Sequence, residues 1–325
     1  MTKHELLLLN NLITNTNKMK NQSILPFFLF GLISLFLFTC NSTPTPPDTS
    51  QEEEWQSLFN GQDLSGWDIK MAGYPVGENF RNTWVVEDSM IRVSYDEYEQ
   101  FDDAYGHMYY KEPFSYYRLR FDYRFTGEQT PGGANWNVRN SGIMVHSQSA
   151  ASNEIGQHFP VSVELQLLGG LSDGKKRTTG NVCTPGTAVV MGDTINYRHC
   201  ISSTSKTYDG DQWIKAEMIV LGDSTIVHLI EGENVLQYDK SQIGGGFTNI
   251  KQTQEDWEGF GITKMDDWTK QAGTLLSGGY IALQAESHPI DFKNIELLNL
   301  EGCKDPKAKN YKAYYVKGDP SKCTY

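Results

Sequence analysis

From Trp55 to Asn299 the chain alternates short segments, in which apolar and polar residues take turns, with clusters of Gly, Asn, Asp and Pro. A period of two places successive side chains on opposite faces of an extended strand. On this pattern residues 84–87, 90–93, 117–125, 141–146, 161–167, 213–220 and 225–230 all read as strands, and no long stretch has the spacing of an amphipathic helix. Many short strands separated by turn residues predict an all-β fold, a sandwich of two antiparallel sheets with jelly-roll connections.

Three segments carry polar residues on the face opposite their apolar one. In 279–297, Ile281, Leu283 and Ala285 share one side, which sets Gln284, Glu286 and His288 together on the other. Val163, Leu165 and Leu167 leave Glu164 and Gln166 opposite, and Ile143 and Val145 oppose Asn140, Met144 and His146. A hydrophobic core would not tolerate such rows, whereas a wet groove does. A floor of carboxylates, amides and imidazoles suits a polyhydroxylated ligand, with Trp136 and the loop Tyr197-Arg-His199-Cys200 as walls. The plainer alternative is a solvated sheet face, which antiparallel sheets often have.

The chain has 325 residues and a formal charge of −12, with no basic face for nucleic acid. Residues 1–40 read as an export signal: Lys18 and Lys20 precede an apolar run, residues 24–38, that is short for a membrane span and ends beside Cys40. That cysteine is placed as in a bacterial lipobox and would carry a lipid anchor to the cell envelope. Residues 41–54, rich in Pro, Ser, Thr and acidic residues, would form a flexible tether. The folded domain is then 55–300, followed by a small tail, 301–325. Four cysteines remain: Cys183, Cys200, Cys303 and Cys323. In an exported protein an even number favours disulfides. Three pairings are open; the two local ones, Cys183 with Cys200 and Cys303 with Cys323, are preferred.

The ordered set Leu58-Phe-Asn-Gly-Gln-Asp-Leu-Ser-Gly-Trp67, Asn140-Ser-Gly-Ile143, Ser162-Val-Glu-Leu-Gln166 and 278–297 resembles the 3-keto-disaccharide hydrolase domain family. Thr179-Gly-Asn-Val-Cys-Thr-Pro-Gly186, His199-Cys-Ile201 and Glu286-Ser-His-Pro289 look like one subgroup of it. The resemblance implies a concanavalin-like jelly roll and an enzyme that cleaves 3-keto-glycosides, by a lyase and hydratase sequence that amounts to hydrolysis. The cysteine-closed tail looks like a module appended to secreted proteins of Bacteroidetes-type bacteria.

A ketone at C3 of a sugar acidifies the C2 proton, so a base, an enolate stabiliser and an acid for the leaving oxygen suffice for β-elimination. Glu164 and Glu286 are the candidates for base and acid. His288 and His146 are candidates for proton exchange or a hydrogen bond to the C3 oxygen. Asn140, Gln166, Gln284, Trp136 and His199 are expected to bind the substrate. No cofactor is required by the sequence; a divalent cation among Glu164, Glu286 and the histidines is conceivable, although no familiar ligand spacing is present. Two other readings compete: a carbohydrate-binding module without catalysis, and a conventional retaining glycosidase, whose carboxyl groups would lie about 5–5.5 Å apart.

Overall fold

A computed structural model describes residues 52–248 and 253–325. The expected signal, the anchor Cys40 and nearly all of the expected tether lie outside the described residues. Glu54–Glu301 form one compact unit, and Gly302–Tyr325 belong to a second.

The alternating segments pair into two large antiparallel sheets. The seven-stranded sheet runs Cys200–Ile201, Asn181–Cys183, Val163–Leu168, Asn140–Ser147, Tyr280–Ala285, Gly106–Tyr110, Trp67–Met71. The ten-stranded sheet has Glu233–Ile243, Thr225–Ile230, Ile214–Leu221, Tyr116–Phe125 and Ile290–Asn299 as successive members. This is the sandwich of two antiparallel sheets that the alternation predicts. Among the described residues the α-helices are Gln254–Glu258 and Met265–Thr269, five residues each. None is long and apolar enough to cross a membrane.

The apolar positions of the sequence pattern meet between the sheets. Val163, Leu165, Leu167, Ile143, Val145, Ile281, Leu283 and Ala285 join Leu119, Phe121, Tyr123, Phe125, Ala216, Met218 and Val220 in one buried cluster. On the outer face of the ten-stranded sheet the polar alternates are neutralised across strands. Arg118 Nε lies 2.7 Å from Glu217, Arg120 Nε 2.8 Å from Glu296, and the fully buried Asp291 receives both Arg92 (2.7 Å) and Arg124 (2.8 Å).

Two expectations are corrected. The segment 279–297 is not one strand: Tyr280–Ala285 lies in the seven-stranded sheet and Ile290–Asn299 in the other, so 286–289 carries the chain across the edge of the sandwich. The strand expected at 161–167 begins only at Val163. Both preferred disulfides are present, Cys183–Cys200 and Cys303–Cys323. Within the tail, Asn310 ties the chain to itself by donating to the Lys322 carbonyl (2.6 Å) and accepting from the Thr324 N–H (3.0 Å).

Candidate active site

The face of the seven-stranded sheet that points away from the core carries the polar alternates. Glu164 stands opposite Met144 and Cys183, and Gln166 opposite Gly142 and Asn181. Gln284 comes from Tyr280–Ala285, on the far side of the intervening strand Asn140–Ser147, and Glu286 follows immediately after Tyr280–Ala285 ends. Together with Asn140 they line a cavity of about 650 Å³, walled by Trp136, Phe159, Phe260, His199 and Arg177. Of the sequence candidates, Glu164, Glu286, Asn140, Gln166, Gln284, Trp136 and His199 thus converge on one space, although they come from four separate stretches of chain.

Glu164 reaches this space by leaning across its neighbour. A Cβ on Gly142 would lie 2.3 Å from Glu164 Oε1, so the carboxyl occupies room that only glycine leaves free. The side chain is buried, and burial pushes its pKa up to about 8. Glu286 is held well above the usual carboxylate range, first by burial and then by the charge of Glu164, while Arg177 pulls the other way. Neither carboxyl forms an ion pair or side-chain hydrogen bond with another described residue, unlike every carboxylate of the outer-face ladder. The pair therefore retains at least one proton near neutral pH, because burial disfavours both anions and the charge of Glu164 further opposes that of Glu286.

Amide groups surround the carboxyls. Gln166 Oε1 accepts from Asn181 Nδ2 at 3.0 Å, which fixes its orientation and turns its NH₂ outward as a donor. Gln284 Oε1 and Asn140 Oδ1 are buried and accept nothing from described residues, so both are available to hydroxyl donors. Ser141 Oγ donates to the Gln284 carbonyl at 2.8 Å and locks the two central strands together. Trp136 is half exposed at the rim, stacked at 6.2 Å and 7° against Tyr105, and so presents a flat apolar surface at the cavity mouth. His199 is kept neutral by burial, which pushes its pKa down to about 4. It lies beside Cys183 and Cys200, the one cluster among the described residues with the spacing of a metal site. Both sulfurs of that cluster are spent on the disulfide.

Two candidates fall outside the lining, for the same physical reason. His146 has φ +49° and sits where the pairing with Tyr280–Ala285 shifts register, so alternation breaks after Val145. Its Nε2 bonds the Gly222 carbonyl at 3.0 Å. Ser287, with φ +70°, turns the chain between the sheets and takes His288 out of the row begun by Gln284 and Glu286. The His288 ring instead packs edge-on to the core residue Phe125, 5.7 Å between centroids. Burial keeps both imidazoles neutral, at about 4.

Sequence reasoning missed Arg177. It follows Lys175 and Lys176 in a polar loop, where a basic run reads as solvated surface. Here its guanidinium donates to the carbonyls of Val138 (2.7 Å), Arg139 (3.2 Å) and Gly169, and the side chain lines the cavity. No pattern of alternation marks it; a lone Arg shortly before Thr178-Thr-Gly-Asn181 is the faint signal available.

Comparison with known proteins gives a family match over residues 54–298, to the 3-keto-alpha-glucoside-1,2-lyase-like domain. No curated protein matches the chain. Among solved structures, two proteins of Parabacteroides distasonis ATCC 8503 named as candidate glycosyl hydrolases align over 76% of this chain. One is 19% identical, with 94% of its own chain covered and a TM-score of 0.43. The other is 16% identical, with 100% covered and a TM-score of 0.44. Carbohydrate-binding module CBM66 from Bacillus subtilis aligns over 73% of this chain and 98% of its own, at 10% identity and a TM-score of 0.40.

Proposed function

The chain belongs to the 3-keto-alpha-glucoside-1,2-lyase-like domain family, and from that footing we propose that it cleaves glycosides whose C3 hydroxyl has been oxidised to a ketone. The observation that carries this reading is the pair Glu164 and Glu286, two buried carboxyls in one cavity with no ion-pair or hydrogen-bond partner among the described residues and with raised pKa values. One proton shared between two such groups supplies an acid and a base within the same cavity.

The ionised member removes the C2 proton, the electron pair expels the C1 oxygen as a C1=C2 bond forms, and the protonated member delivers its proton to the leaving oxygen. Water then adds across C1=C2, with hydroxyl to C1 and a proton to C2, which completes a net hydrolysis. Gln166, Gln284 and Asn140 hold ring hydroxyls, and Trp136 covers the apolar face of the sugar. The site needs no oxocarbenium-like transition state, since the ketone makes the C2 proton labile. We extend the proposal to location: two disulfides fit an oxidising compartment, and Cys40 would tether the mature domain to the envelope.

The test is turnover in D₂O. Purified protein should release the aglycone from 3-keto-glucosides, leave deuterium at C2 of the hydrated product, and ignore the unoxidised parent glycosides. Silence on a panel of 3-keto substrates would overturn the reading. Glycan binding without chemistry, persisting in Glu164→Gln and Glu286→Gln, would make the domain a binding module.

A further inference from the structure

Elimination through an enolate places negative charge on the C3 oxygen, and the two histidines expected to receive it lie outside the cavity. We propose that Arg177 is the electrophile for this step, its free N–H groups meeting the C3 oxygen as charge develops there. The inference rests on the function proposed above.

A guanidinium has five N–H donors. In Arg177, Nη1 serves the Arg139 and Gly169 carbonyls and Nη2 serves the Val138 carbonyl, which uses three. Two remain without an acceptor among the described residues, on a side chain that lines the cavity. All three bonded acceptors are neutral carbonyls, and among the described residues no carboxylate lies within ion-pair distance of the charge. This differs from Arg118, Arg120 and Arg124, each of which pairs with a carboxylate at 2.7–2.8 Å.

The three carbonyls also fix where the fork points. Val138 and Arg139 precede the strand that begins at Asn140, and Gly169 follows the strand Val163–Leu168 that carries Glu164 and Gln166. The Arg177 backbone N–H is held in turn by Thr207 Oγ1 at 2.8 Å. A cation clamped by the ends of both site strands needs no rearrangement when charge appears, which is the condition under which oxyanion stabilisation is strong. The field of Arg177 reaches Glu286, as expected for a cation on the same cavity. In the step itself, the basic carboxylate takes the C2 proton and the electron pair moves onto the C3 oxygen against Arg177. The pair then returns to form C1=C2 while the C1–O bond breaks and the acidic carboxyl protonates the leaving oxygen.

The experiment uses methyl 3-keto-glucoside, whose poor leaving group lets C2 exchange be followed by NMR in D₂O, with the affinity of the same ligand measured alongside. Arg177→Gln should slow C2 exchange by about 10²–10³-fold, the usual loss for one oxyanion donor, with affinity little changed, while loss of the bonds to three carbonyls lowers the melting temperature without unfolding the protein at the assay temperature. Exchange within about tenfold of wild type, or a loss matched by an equal loss of affinity, overturns the role of Arg177. Should Arg177→Gln not fold, Arg177→Lys decides: it keeps the charge but not the planar fork, so a loss of at least about tenfold supports the role and a wild-type rate overturns it. Wild-type protein that exchanges no C2 proton would instead overturn the proposed function, which keeps the two failures apart.

Discussion

At the scale of single residues, Glu164 and Glu286 are distinguished less by being acidic than by being unneutralised. Replacing either by Gln should lower turnover of 3-keto-glucosides by at least about 100-fold, the scale of general acid or base catalysis. A nitrophenyl leaving group separates the roles: it should restore much of the rate in the variant that lost its acid and none in the variant that lost its base. The wild-type rate should follow a bell-shaped pH profile, rising as the first proton leaves the pair and falling as the second leaves, with the Glu164 step near pH 8. The same shift acts on folding. A carboxyl raised from 4.5 to about 8 stabilises the fold fully below pH 4.5, and that contribution is lost as pH climbs toward 8. Glu164→Gln should therefore melt above wild type at pH 8 but close to it at pH 4, readable by calorimetry.

At the scale of strands, the site depends on where alternation holds and where it stops. Glu164 and Gln166 lie on a strand regular enough that their common face was legible from Val163, Leu165 and Leu167 alone. His146 and His288 were not legible, since each follows a position where the strand changes: a bulge in one case, a crossing between sheets in the other. A one-residue irregularity reverses every later side chain, and no period of two announces it. Gly142 shows the opposite dependence, in which a missing side chain on one strand makes room for a carboxyl on the next. Gly142→Ala should leave the fold intact yet push Glu164 aside, with a loss of about 100-fold in kcat/KM, the usual cost of misplacing a reacting group by about 1 Å. Steady-state kinetics beside circular dichroism would check it.

At the scale of the whole molecule, the two sheets divide labour. The outer face of the ten-stranded sheet closes its charges in cross-strand pairs, and that of the seven-stranded sheet leaves its carboxyls open to a ligand. Asp291, bridging Arg92 and Arg124, belongs to the first kind. Asp291→Ala should destabilise the domain by roughly 3 kcal/mol, near the lower end for a broken buried pair because both arginines are partly exposed. Measured by denaturant unfolding, that loss should come with unchanged kcat in the folded fraction.

The amino-acid sequence by itself determined the class of fold, the strands with two unlike faces and the excess of polar residues on three of them, and it left three cysteine pairings open, of which the structure shows the preferred local ones. These are local or compositional properties, carried by a repeat of two residues and by counts. Only the tertiary structure decided that Glu164 and Glu286 share one cavity, that burial raises both, that two histidines leave the row and that Arg177 enters it. Each of those depends on which distant segments are brought together, on water being excluded between them, and on the turn at Ser287 that passes the chain from one sheet to the other.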